Sequence, residues 1–360
     1  MKVALVYDRV NKIGGAERVL LALHEIYPQA PLYTAVYDPK GAPWADVFPK
    51  VISSFLQKFP FGKSHHEIYP WLTPLAFESF NFDDYDVVIS VTSAEAKGII
   101  TKPGTLHICY CLTPTRYLWQ SYWHYFKNPV LRTLTFPAVI RLRLWDQVAS
   151  SRPDTYVAIS QNVAQRIKKY YQREAEVIYP PVDLGKFKIA MNNDLKTKNY
   201  FLVVSRLVPY KRIDIAIEAF NKLGLPLKII GSGVEEKKLR RMAGKNIEFL
   251  GQNLTDAELL QYYQNCRAII FPTEEDFGLV PIEVQACGKP VIAFRGGGVL
   301  ESIVKGVTGE FFSPQTPEAL IKAVKNFKDE KYKPEECRRN AERFSKENFK
   351  EKFKKFVESI

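Results

Sequence analysis

Short apolar runs closed by polar or glycine turns, each followed by a stretch with helical hydrophobic spacing, recur through both halves of this 360-residue chain. They are residues 3–7, 32–37, 87–91, 107–112 and 155–159 in the first half, and 200–205, 227–230, 247–250, 268–271 and 290–294 in the second. A strand that is apolar at consecutive positions is buried on both faces, and intervening helices supply the cover. The pattern predicts an α/β chain of two domains, each a parallel sheet between helices, and the length suffices for two cores. The polar run at residues 192–199 reads as the connection between them. The tail from 334 to 360 reads as helix, with Phe344, Phe349, Phe353 and Phe356 near helical spacing and its lysines on a solvated face.

The stretch 271–294 is the most informative. It reads as the end of a buried strand, a polar turn, a short helix from about Val280 and a second strand. Pro281 suits the first turn of that helix and Gly288 its exit. The turn Glu275-Asp276-Phe277-Gly278-Leu279 therefore offers backbone N–H groups at the positive end of a helix, a setting for an anion. Carboxylates crowd the same place, with Glu275 and Glu283 eight positions apart. A ligand carrying both negative and hydroxyl-bearing parts satisfies amides and carboxylates together, and a nucleotide sugar is such a ligand.

Two further strand-to-helix turns carry candidate chemistry. Residues 205–212 place Arg206 and Lys211 five apart, where both cations could converge on a diphosphate in the role of a metal ion. Gly14-Gly15 follows the first strand and permits close approach of a phosphate or sugar, or else makes a tight connection. Glu17, just inside the following helix, complements its dipole. Asp84-Tyr85-Asp86 matches a metal–diphosphate pattern but directly precedes an apolar run, and reads better as a polar lead-in to that strand. From 113 to 145 the chain turns aromatic and basic, including Arg116, Tyr117 and Trp119. Such a mixture could meet a lipid interface, a polyprenyl-linked acceptor or single-stranded nucleic acid, or could be helix packing with snorkelling arginines.

Lys and Arg number 51 against 39 Asp and Glu, a net charge of +12 that suits an anionic partner without choosing one. No nucleic-acid motif accompanies the charge, and nucleic acid is not expected as a partner. The chain starts directly in a strand pattern and has no membrane-length apolar run, so no secretory signal or span is expected. The five cysteines read as reduced core thiols in the cytosol, and no metal site is expected from them.

Taken together, Gly14-Gly15-Ala16-Glu17-Arg18-Val19-Leu20, Ser205-Arg206-Leu207 with Lys211, and Glu275 with Glu283 resemble the GT4 family of retaining glycosyltransferases. Residues 177–183 and Thr308-Gly309 before Phe311-Phe312 add to the likeness. The segments 110–119 and 285–288 are similar to the mannosyltransferase-like subgroup that builds bacterial surface polysaccharide. The resemblance implies a GT-B fold, two Rossmann-like domains with parallel sheets facing a central cleft. It implies an acceptor-side domain over 1–190, a nucleotide-sugar domain over 196–340, and a C-terminal helix, 341–360, returning to the first.

By the same resemblance Arg206 and Lys211 neutralise the donor diphosphate, and Glu275 contacts the donor sugar. Glu283 accepts from the ribose hydroxyls, and N–H groups around Phe277, Gly278 and Leu279 bind sugar and phosphate oxygens. Gly14 and Gly15 close on the diphosphate from the opposite domain, and Arg116, Tyr117 and Trp119 lie on the acceptor or membrane side. The implied reaction moves a hexose, with mannose from GDP-mannose as the candidate, to a lipid-linked or saccharide acceptor, without a metal or other cofactor. The implied location is the cytoplasm, with peripheral contact at an anionic inner membrane face. One position departs from the family: Leu112 stands where a histidine commonly precedes the Thr-Pro step. That departure motivates the alternative, a non-catalytic GT-B protein that binds nucleotide sugar or partners.

Overall fold

Apolar strand runs and helix-period segments alternate in a computed structural model as the sequence predicts. It describes residues 1–12, 14–63, 68–120, 122–125, 128–190 and 199–360, without the side chains of 124, 125 and 131. The chain divides into two compact units, Met1–Pro180 with Phe349–Ile360, and Pro181–Asn348. Most of the connection expected at 192–199 lies outside the described residues.

The first unit runs β1 (Val3–Tyr7), α1 (Gly15–Ile26), β2 (Leu32–Thr34), β3 (Val51–Ser53), α2 (Thr73–Glu78), β4 (Val87–Thr92) and β5 (Leu106–Cys111). It continues with α3 (Tyr122–Tyr125), α4 (Pro129–Ser150), β6 (Thr155–Ala158), α5 (Gln161–Tyr171) and β7 (Glu176–Val177). Its seven strands are ordered β3-β2-β1-β4-β5-β6-β7, all pairs parallel. β1, β4 and most of β5 are buried along their length, as uninterrupted apolar runs require. Ser160 caps α5, accepting from the Val163 amide at 3.1 Å. The run expected as a strand over 32–37 ends at Thr34. Ser54 Oγ donates to the Ala35 carbonyl at 2.8 Å, and the chain resumes as a single Val10–Tyr37 bridge.

The second unit opens with β8 (Phe201–Val204), α6 (Ile213–Leu223), β9 (Leu227–Ile230), α7 (Glu236–Met242), β10 (Ile247–Gly251) and α8 (Asp256–Asn265). There follow β11 (Ile269–Phe271), α9 (Val280–Ala286), β12 (Val291–Phe294), α10 (Val299–Ser302), β13 (Gly309–Phe312), α11 (Pro317–Lys325) and α12 (Pro334–Glu342), and α13 (Lys346–Glu358) belongs to the first unit from Phe349 on. Strand order is β10-β9-β8-β11-β12-β13, again parallel. One core packed against this sheet gathers Phe201, Ile217, Phe220, Ile270 and Ile292.

The first unit ends at Pro180, not at 190, because the next residues are held by the second. The Val182 amide donates to Phe344 O at 2.9 Å, and Val182 O accepts from Lys346 at 3.1 Å. The expected helical tail is two helices broken at residues 343–345. Phe344 lies in the break, its ring 5.6 Å from that of Phe277. Phe349 and Phe353 keep helical spacing and set their rings 5.9 and 6.3 Å from Tyr110.

Candidate active site

In the second sheet β8 and β11 are central neighbours, and their connections run outward in opposite directions, through α6 to β9 and through α9 to β12. The order reverses between them, and the crevice above their carboxyl ends is where open α/β sheets bind ligands. Arg206 and Lys211 lie on the turn after β8, and Glu275 on the turn after β11. Lys211 closes a 3₁₀ turn begun by Pro209, and the next residue, Arg212, is left-handed at φ 53°. Thr273 Oγ1 donates to the Lys211 carbonyl at 2.6 Å, which staples the two turns together.

The Lys211 ammonium, nearly buried, forms an ion pair with the Glu275 carboxylate. It stands 5.3 Å from the centroid of Tyr210, whose hydroxyl accepts from the exposed Arg206. Both predicted cations thus touch one aromatic ring. Tyr210 was not singled out in the sequence, although its place between them on the same turn is the available signal. Glu275 in turn is fixed by glycines after β12. Its carbonyl accepts from the Gly298 amide at 2.8 Å, and it bridges Gly297. Gly297 has φ +71°, and a Cβ there would fall 2.2 Å from Glu275 O. Three consecutive glycines after a strand were the unused signal.

The α9 segment forms as expected, with Pro281 in its first turn and Gly288 left-handed at φ +77°. Gly278 is left-handed too, at φ +88°. Among the described residues, the Gly278 and Leu279 amides donate no hydrogen bond. The Phe277 side chain is core, so only its backbone can face a ligand. Glu283 is buried on α9, and one carboxylate oxygen accepts from Tyr263 on α8 at 2.8 Å. Its expected role toward a ribose must share the carboxylate with Tyr263, a partner the sequence did not suggest.

The remaining predicted residues belong to the first unit. Gly14 and Gly15 stand at the start of α1, where Glu17 is buried and accepts from the Tyr7 hydroxyl at 2.7 Å. Burial, reinforced by the Glu17 charge, holds the Tyr7 phenol well above its usual pKa. Trp119 donates from its indole to Asp146 at 2.7 Å and stacks on Tyr170, while Tyr117 hydrogen-bonds Glu95; Arg116 is half-buried. The polar ends of Trp119 and Tyr117 are spent on carboxylates of their own unit, which fits the packing reading for these two residues.

Around them lies a buried polar network. Lys97 sits 2.5 Å from Asp146, which also accepts from Thr115 at 2.7 Å. Burial pulls Lys97 down, but Asp146 outweighs it and holds the ammonium above its usual pKa. Burial, then the Asp8 charge, pushes Glu95 up to about 7. Asp8 accepts from Thr92 Oγ1 and from the Ser93 amide, both at 2.7 Å, joining the carboxyl ends of β1 and β4.

Asp86 lies at the opposite, amino end of β4, accepting from the Lys2 amide at 2.6 Å, which suits a lead-in. His107 contacts Ser90 Oγ at 2.8 Å, and burial lowers its pKa to about 3. All five cysteines are buried thiols outside any disulfide. Among the described residues no group of three or more His, Cys, Asp or Glu could hold a metal ion, and no helix is long and apolar enough to cross a membrane.

Residues 186–344, the body of the second unit, match the model of the family described as glycosyl transferases group 1. Over these residues the chain is similar to group 1 glycosyltransferases. An uncharacterised glycosyltransferase of Methanocaldococcus jannaschii is 30% identical over 190 residues, 51% of this chain and 52% of its own. The alpha-1,3/1,6-mannosyltransferase ALG2 of Mus musculus is 23% identical over 362 residues, 88% of this chain and 85% of its own. That protein aside, the chain spans about half the length of the first curated relatives it matches. The structure of Anabaena HepE in complex with UDP covers 100% of both chains at 18% identity, with a TM-score of 0.74. The chain thus has the GT-B fold of two units, each a parallel-sheet, Rossmann-like domain.

Proposed function

We propose that the protein is a retaining hexosyltransferase that takes its sugar from a nucleoside diphosphate sugar. One observation carries the reading: Arg206, Lys211 and Glu275 are gathered at the switch point of the second unit, around Tyr210. The two cations receive the diphosphate and stabilise the charge that grows as the glycosidic C–O bond breaks. Glu275, held by Lys211 before the donor arrives, turns to the sugar hydroxyls. Amides at Phe277, Gly278 and Leu279 take sugar and phosphate oxygens. Gly14 and Gly15 belong to the same donor reading. The acceptor oxygen bonds to the anomeric carbon on the face the phosphate leaves, and a leaving-phosphate oxygen takes its proton. No protein base or metal is required by that scheme.

The mouse relative, named a mannosyltransferase, supports mannose from GDP-mannose as the first donor to try, and the UDP complex of HepE supports a nucleotide donor. The acceptor in this reading is a lipid-linked or free saccharide of a surface polysaccharide. Leu112, just past β5, favours one rival, a nucleotide-sugar binder without transfer. Release of GDP or UDP from a panel of donor sugars, followed in EDTA, separates the two. The wild type is expected to turn over one donor, and Glu275→Ala to lose about a hundredfold in rate. Donor binding without turnover would install the rival, and equal rates would remove Glu275 from the site.

A further inference from the structure

α4 wears its apolar residues on the outside. Val130, Leu134, Phe136, Ile140, Leu144 and Val148 are all exposed, with Leu134 at 74% and Leu144 at 65%. At 100° per residue they span one arc of the helix, while Val139, Leu142, Asp146 and Ala149 make the buried arc opposite. A helix on a sheet normally shows the reverse, with its polar arc to water. Scattered exposed apolar residues need no explanation, but six along one face of a 22-residue helix do.

The charge on this face has one sign. Residues 96–145 contain no Asp or Glu. The one acid of α4, Asp146, is fully buried against Lys97. Arg141 stands exposed within the apolar arc, and Arg132 and Arg143 flank it. At the start of the helix Trp123, Arg132, Phe136 and Arg143 help line an open cavity of about 400 Å³. There each guanidinium lies 4.6 Å from an aromatic centroid, Arg132 over Trp123 and Arg143 over Tyr122. Arginines beside aromatics at the rim of an apolar face match the boundary between lipid headgroups and acyl chains. A strip of arginines in a stretch of sequence without acids matches an anionic surface.

We propose that α4 is a membrane-docking helix that lies in the plane of an anionic phospholipid surface, with Leu134, Ile140 and Leu144 entering the acyl boundary and the arginines meeting lipid phosphates. The proposal goes beyond the transferase reading and survives its failure, because the test reads binding and not sugar transfer. Full-length protein is floated with vesicles of phosphatidylglycerol and phosphatidylcholine, or of phosphatidylcholine alone. The wild type is expected to rise with the anionic vesicles, and Leu134→Glu/Leu144→Glu to bind them about tenfold less. Arg141→Ala, which spares the apolar face, is expected to cost about fivefold on anionic vesicles only. Val234→Glu, at a residue 85% exposed in the second unit, is the control and leaves binding unchanged.

All α4 positions changed are exposed, and thermal melting by circular dichroism is expected to match the wild type. A wild type that floats with neither vesicle, or a double variant that floats as well as the wild type, would overturn the proposal. So would light scattering that shows a dimer dissolved by the same double variant, since the occupant would then be a second copy.

Discussion

Lys211 and Glu275 are 64 positions apart in sequence and form one ion pair, with Thr273 joining the turns that carry them. Each residue was legible because it sits just past a strand, where a parallel sheet gathers its loops. Their partners were not. Tyr210 is an ordinary aromatic on paper, and Tyr263 reaches Glu283 only through the fold, 20 positions away in sequence. Glu95 offers a prediction that needs no ligand. Its folded pKa, raised to about 7 from an ordinary 4.5, means that the native state holds a proton the unfolded chain has released between those values. Its contribution to stability is therefore whole below about pH 4.5 and falls as pH rises toward 7. Glu95→Gln cannot titrate, so urea melts are expected to show the variant gaining about 2–3 kcal/mol on the wild type across that window. A difference independent of pH would mean that Glu95 is ionised throughout.

At the scale of elements, α9 and its flanking strands followed the sequence closely, because Pro281 and Gly288 fix where a helix begins and stops. The tail helix did not, because Phe344 continues the spacing of Phe349 and Phe353 but leaves the helix to reach Phe277. α4 shows the limit of periodicity in another way. Spacing reveals that a helix has an apolar face but not what lies against it, so packing and exposure read alike. The loop after β12 has a function visible only in three dimensions, since Gly296-Gly297-Gly298 wraps the Glu275 backbone. Gly297→Ala adds a Cβ against the Glu275 carbonyl at a left-handed φ. The loop must move and take Glu275 with it. Donor turnover is expected to fall about tenfold or more while the melting temperature shifts by only a few degrees. Full activity in Gly297→Ala would show that Glu275 does not depend on that contact.

For the whole molecule, two sheets share the order in which the first three strands run outward one way and the later strands the other. Each has a switch point, and the two are furnished differently. In the first unit Asp8 spends its carboxylate on Thr92, Ser93 and Ala96, tying the crevice to its own backbone. In the second, the same place holds Lys211 and Glu275 paired with each other and Arg206 beside them. A carboxylate satisfied by a hydroxyl and backbone amides of its own unit is a structural device, whereas an ion pair at the mouth of a crevice can be exchanged for a ligand of matching charge. The alternation of runs and turns made the two-sheet plan legible, but it could not tell these furnishings apart, because both use a few polar residues after a strand.

The central claim is that these second-unit side chains receive an activated sugar through its diphosphate. Calorimetric titration of the wild type, Lys211→Ala and Arg206→Ala with GDP-mannose and UDP-glucose tests it most directly. One donor is expected to bind the wild type, and Lys211→Ala to weaken it by about 1.5–3 kcal/mol, the worth of a hydrogen bond to a charged group. Equal affinity in all three proteins, or no binding of either donor by the wild type, would contradict it.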